Sequence, residues 1–188
     1  MPDKHSQIPY INLCVQWQND RHELLPVIEK VLGSGQYVSG DEVDKFEKKV
    51  AELCQVKHAV ALNSGTDALM MALHLLGVGR GDEVITPPNS FIASTAVVVH
   101  LGARPVFVDV LPDQNIDPKK IKAAVTEKTK AIMPVHLTGR VCDMDPIMEL
   151  AENYELSVVE GAAQAIGSKY KNKPSGSIGH VGCFSTHP

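Results

Sequence analysis

The sequence predicts an α/β domain built on a mainly parallel sheet with helices on both faces. Short apolar runs rich in β-branched residues recur at 58–62, 83–86, 105–109, 131–135 and 156–160, at a spacing of roughly 25 residues. Between them, stretches 66–76, 91–101, 118–125 and 146–153 carry apolar residues at helical spacing. Strand and helix signals in strict alternation imply βα units whose strands are covered on both sides.

Each element has a local reason. Leu24, Leu25, Ile28, Val31 and Leu32 form a helical stripe, with Pro26 obscuring where that helix begins. Val43, Phe46, Val50 and Leu53 form a second stripe, and Ser39 and Glu42 ahead of it fit a capping box. Gly77 and Gly102 suit the left-handed residue that ends a helix. Asp117-Pro118 and Asp145-Pro146 both read as a helix cap followed by a proline at the first helical position. After Glu160 the rhythm breaks. The turn-rich stretch 171–177 has no helical stripe, so a final strand near 181–184 is reached by a loop excursion. There is no internal repeat.

Composition narrows the function. The 188 residues are 44% hydrophobic and 21% charged, the makeup of a globular domain with one sizeable core. A net charge of −4 without basic runs advertises neither nucleic acid nor an anionic membrane. Cys14, Cys54, Cys142 and Cys183 stand far apart, which argues against zinc and against a disulfide framework and makes a reducing cytoplasm the expected location. No apolar run reaches membrane-spanning length, and the polar opening from Met1 to His5 is not a secretory signal.

Several residues fall together along the carboxyl edge of the predicted sheet. Asn63-Ser64-Gly65-Thr66 joins an apolar run to a helix, so that free amides and the positive helix end can cradle a phosphate. The same residues also read as an ordinary helix cap, and they lack the lysine of a nucleotide-binding P-loop and the GxGxxG spacing. Phe91 can offer a ring face to a flat cofactor or fill a core; Gln164 can donate to a ring oxygen or sit in solvent; Ser185 can add a second phosphate hydroxyl. Only their joint placement singles them out. None of the eight histidines, His136 and His187 included, forms HxxxH or HExxH, and Asp109, Asp113 and Asp117 lack the remainder of a calcium loop. Met70 and Met71 read as core filling.

The ordered motifs Gln36-Tyr37-Val38-Ser39-Gly40, Asn63-Ser64-Gly65-Thr66-Asp67-Ala68-Leu69, Gly81-Asp82-Glu83-Val84-Ile85-Thr86-Pro87, Gly102-Ala103-Arg104-Pro105-Val106-Phe107-Val108-Asp109, Pro134-Val135-His136-Leu137-Thr138-Gly139 and Glu160-Gly161-Ala162-Ala163-Gln164 resemble the DegT/DnrJ/EryC1/StrS family from Tyr10 onward. These are pyridoxal 5′-phosphate (PLP) dependent aminotransferases of nucleotide-linked keto sugars. The resemblance implies a fold-type-I, aspartate aminotransferase-like large domain. Residues 1–35 are then an N-terminal segment and helix, and 36–188 an incomplete cofactor-binding large domain without the small C-terminal domain. It further implies a homodimer and glutamate as the usual amino donor.

Carried over by position, the resemblance has Gly65 and Thr66 binding the cofactor phosphate, Ser64 supporting the turn and Ser185 adding a hydroxyl. Phe91 stacks on the pyridine ring and Gln164 reaches its phenolic oxygen. The family's Schiff-base lysine falls two positions after the proline matched by Pro188, so a chain ending there is expected to lack it and to be inactive alone. Gly161 stands where the family has the aspartate that keeps the ring nitrogen protonated, and Glu160 is no obvious substitute, because neighbouring strand residues point to opposite faces. Two rivals remain open: a sugar dehydratase of the same fold with histidine for the lysine, and a non-catalytic fragment that binds cofactor or associates with other subunits.

Overall fold

A computed structural model describes Pro9 and residues 11–187; Met1 to Ile8, Tyr10 and Pro188, with the sequence readings that fall on them, lie outside the described residues. The chain divides into two compact units, the first ending at Lys45 and the second beginning at Phe46.

The first unit holds helix α1, Leu13–Ser34. Asn12 caps it by accepting the Val15 N–H, and Gly35 ends it at φ 72°, in the left-handed region that glycine tolerates. The helix therefore begins well before the Leu24 stripe and runs through Pro26, with no residue of α1 buried. Helix α2, Asp41–Cys54, follows. The expected capping box does not form. Ser39 is itself left-handed at φ 59°, the Val43 and Asp44 amides bond to the Gly40 carbonyl, and the Glu42 carboxylate takes Lys30 and Lys45 instead.

The second unit carries the sheet. Its strands are β1 (Glu83–Thr86), β2 (Arg104–Phe107), β3 (Thr129–Ile132), β4 (Ser157–Gly161), a short antiparallel pair β5 (Lys169–Tyr170) and β6 (Lys173–Pro174), and β7 (Val181–Cys183). The main sheet runs in the order β2-β1-β3-β4-β7, and every pairing in it is parallel. Strand alternation sorts the core into two layers. Val84, Ala131 and Val159 face α3 (Gly65–Leu75) and α4 (Ala93–His100), whereas Ile85, Ile132 and Val158 face α5 (Pro118–Ala124) and α6 (Met144–Asn153). Helices thus cover both faces, as expected. The order reverses between β1 and β3, and the carboxyl end of that switch point is where α/β sheets place ligands.

Two further expectations need correction. The run 58–62 is not a strand: none of the described strands pairs with it, Val60 is 75% exposed, and the Ala61 N–H is satisfied by the Glu47 carboxylate at 2.8 Å. Asp145 does not cap α6, which starts earlier, with Asp143 at the cap position; Asp143 in turn accepts from the Tyr170 hydroxyl at 2.5 Å rather than from its own helix. The loop excursion contains the β5-β6 hairpin, turned at Lys171 and Asn172 with φ of 47° and 68°, the doubly left-handed two-residue turn that suits paired strands. The Asp117 cap holds, with its carboxylate accepting the Lys119 N–H and Pro118 opening α5.

Candidate functional site

The loop before α3 presents free donors at a helix start. Ser64 sits in extended backbone at the cap; its hydroxyl accepts the Asp67 N–H at 3.1 Å and donates to the Asp67 carboxylate at 3.0 Å. The Ala68 amide bonds to the Ser64 carbonyl, which leaves the Gly65 and Thr66 amides at the positive end of an 11-residue helix without an intrahelical acceptor. Gly65 is required by space, not by its dihedral angles. A Cβ there would stand 2.8 Å from Ser185 Cβ and 3.0 Å from the Phe184 carbonyl oxygen. The glycine thus lets the end of β7 close onto the start of α3, with the Ser185 hydroxyl oxygen 3.3 Å from where that Cβ would stand.

The register of β7 is set by a carboxylate inside the protein. Glu160 and His136 are both fully buried. Glu160 Oε1 accepts the Ile178 and Gly179 amides at 2.7 and 2.6 Å, while Oε2 accepts the Gly176 amide at 2.8 Å and His136 Nε2 at 2.9 Å. His136 Nδ1 accepts the Cys142 N–H at 3.3 Å, so the ring proton resides on Nε2 and points at the carboxylate. Burial pushes the Glu160 carboxyl upward, but the His136 hydrogen bond and the Gly179 and Gly176 amides outweigh it and hold the group below its ordinary value. The excursion that leads into β7 is folded around this group. Of the two roles open to His136, surface group or satisfied core group, it fills the second, and its pairing with Glu160, 24 residues away, has no local signal in the chain.

Gly161, next along β4, is buried on the opposite side. A Cβ there would meet Val135 Cγ2 at 3.1 Å and the Pro134 carbonyl oxygen at 3.3 Å. Glu160 supplies no carboxylate to that side, as the alternation of a strand predicts. Gln164 is exposed, and its Oε1 accepts the Thr138 N–H at 2.7 Å. Phe91 lies beyond β1, just before α4, and is 75% exposed rather than in the core. The structure brings Gly65 and Ser185 into direct apposition; Phe91 and Gln164 share the carboxyl edge of the sheet without touching them. Two surface grooves, of about 440 and 700 Å³, lie along α6 and between α5 and α6, and neither is lined by any of these residues.

Among the described residues, no group of histidine, cysteine or acidic side chains is arranged to hold a metal, and no helix is long and apolar enough to cross a membrane. The phosphate end of a PLP-type cofactor fits the cradle at Gly65, Thr66 and Ser185. A partner for its ring nitrogen does not appear at Gly161.

Residues 18–188 match the DegT/DnrJ/EryC1/StrS aminotransferase family. The chain is 42% identical over 183 residues to dTDP-3-amino-3,4,6-trideoxy-alpha-D-glucose transaminase of Streptomyces venezuelae, covering 97% of this chain and 48% of that protein. A crystal structure of S. venezuelae DesV in complex with a ketimine intermediate superposes with a TM-score of 0.94 at 42% identity, over 97% of this chain and 49% of the other. The structure of ntda from Bacillus subtilis with bound cofactor PMP superposes with a TM-score of 0.83 at 40% identity, over 88% of this chain and 39% of the other. The chain spans about half the length of the curated relatives it matches.

Proposed function

Since the chain belongs to the DegT/DnrJ/EryC1/StrS aminotransferase family, we propose that it carries the cofactor-holding apparatus of a PLP-dependent aminotransferase that acts on a nucleotide-linked keto sugar. The supporting observation is the apposition of Gly65 and Ser185, which makes a phosphate cradle from two helix-terminal amides and a hydroxyl delivered by a different element. In this reading the Gly65 and Thr66 amides and the Ser185 hydroxyl hold the phosphate, with Ser64 bracing the turn. Phe91 covers one ring face, and Gln164 donates to the ring oxygen. The cofactor, when bound, supplies the electron sink and carries the amino group. Glutamate as donor, assembly as a homodimer and a cytoplasmic location belong to the same proposal; the four free cysteines agree with a reducing compartment.

Gly161 favours a second reading, in which the chain binds cofactor without catalysing transfer, because nothing at that position keeps the ring nitrogen protonated. One titration tests the shared part. Pyridoxamine 5′-phosphate is expected to bind at one site per chain, with inorganic phosphate competing and phosphate-free pyridoxamine binding far more weakly. Absence of binding overturns both readings. Glutamate-dependent conversion of PLP to pyridoxamine 5′-phosphate, followed by absorbance, then separates the transferring protein from the merely binding one.

A further inference from the structure

Thr138 has φ 55° and ψ 24°, the left-handed region, which a β-branched residue seldom occupies. Such a conformation persists only where its surroundings over-determine it, and here they do. The Leu137 N–H donates to Asn115 Oδ1 at 3.3 Å, and Asn115 Nδ2 donates to the Arg140 carbonyl at 3.1 Å. The Ser168 hydroxyl donates to the Gly139 carbonyl at 2.7 Å, and the Gly139 Cα packs so closely on the Gln164 carbonyl that a Cβ would stand 3.2 Å from it. Within this clamp the Thr138 N–H meets Gln164 Oε1 at 2.7 Å.

An exposed glutamine amide normally turns freely, and either end can face a ligand. A backbone N–H can only donate, so the oxygen end of Gln164 is the end bound to Thr138 and the NH₂ end is the one left for a ligand. We propose that Thr138 is a positioning residue: its left-handed backbone fixes the Gln164 carboxamide so that Nε2, not Oε1, is presented to an anionic ring oxygen. This rests on the proposed role of Gln164 toward the cofactor. The strain at Thr138 thereby has a use, which is to make an exposed side chain a donor of one fixed polarity.

The test compares binding of pyridoxamine 5′-phosphate with that of its 3-deoxy analogue, which lacks the ring oxygen. The unmodified chain is expected to prefer the oxygen-bearing ligand by about tenfold, the size of one charge-assisted hydrogen bond. Thr138→Gly keeps the N–H and tolerates the backbone, so it keeps the preference; Thr138→Pro removes the N–H and loses it. Gln164→Glu keeps an acceptor for Thr138 but has no donor for the ligand, and also loses it. Amide hydrogen exchange gives a second arm should Thr138→Pro fail to fold: the Thr138 amide is protected in the unmodified chain and in Gln164→Glu, and exposed in Gln164→Ala. If Thr138→Pro keeps the preference, or if the Thr138 amide of the unmodified chain exchanges at the free-peptide rate, the positioning role is overturned while cofactor binding stands. If neither ligand binds, the functional reading falls and this inference with it.

Discussion

His136 Nε2 stands 2.9 Å from Glu160 Oε2, with both side chains withdrawn entirely from solvent. Three backbone amides complete the coordination of that carboxylate, so the pair is the knot that ties the segment after β3, the end of β4 and the approach to β7.

Replacing the carboxylate should expose its importance. Glu160→Gln keeps the volume but turns an NH₂ toward donors that need an acceptor, and is expected to destabilise the chain by about 3 kcal/mol at pH 7. The carboxyl is held below its ordinary value in the folded chain, so its contribution is complete above the usual carboxylate range and disappears as pH falls through the depressed folded value. Urea unfolding should show a large difference between the two proteins at pH 7, and that difference should shrink steadily as the pH is lowered below the usual carboxylate range. Equal stability at neutral pH would refute the role of Glu160.

Gly65→Ala places a methyl 2.8 Å from Ser185 Cβ and 3.0 Å from a backbone carbonyl, and backbone cannot swing aside as a side-chain tip can. The end of β7 must retreat from α3. Affinity for pyridoxamine 5′-phosphate, followed by fluorescence titration, is expected to fall at least tenfold, about 1.4 kcal/mol, with circular dichroism unchanged. An unaltered affinity would place the phosphate elsewhere.

Gly161→Asp is not a free restoration of the family's carboxylate. Its Cβ meets Val135 Cγ2 at 3.1 Å, so Val135 must yield by a few tenths of an ångström. The single variant is expected to lose about 1–2 kcal/mol of stability through overpacking, and adding Val135→Ala should make the two changes strongly non-additive in thermal unfolding. In the double variant, cofactor affinity at pH 7 should rise about tenfold if this position faces the ring nitrogen. No gain would mean that it does not.

The four thiols should separate by reactivity. Burial pushes both Cys142 and Cys183 up to about 12, with the Glu160 charge adding to each, and burial raises Cys54 as well. Cys14 is exposed. A disulfide reagent at pH 8 is expected to titrate one thiol within minutes and the other three only on unfolding; two or more fast thiols in the folded chain would contradict the buried placement.

What the sequence determined by itself was whatever repeats over short distances. The apolar runs between 83 and 160 became β1 to β4 because each is set off by a helix beside it in the chain, the run near 181 became β7 at the end of a loop excursion, and the caps at Asp117 and Gly102 follow from neighbours a few residues away. Ser64 and Gly65 were legible for the same reason, as a turn before a helix. Tertiary structure decided the rest. The run 58–62 has the composition of a strand, but pairing needs a neighbour, and none of the described strands lies beside it. The partnership of Glu160 with His136, the closure of Ser185 onto Gly65 and the grip of Thr138 on Gln164 join residues between 24 and 120 positions apart. Each arises where the chain's return paths cross the carboxyl edge of the sheet. Hydrogen bonding and steric contact act over a few ångströms in space, so no local pattern in the chain can announce them.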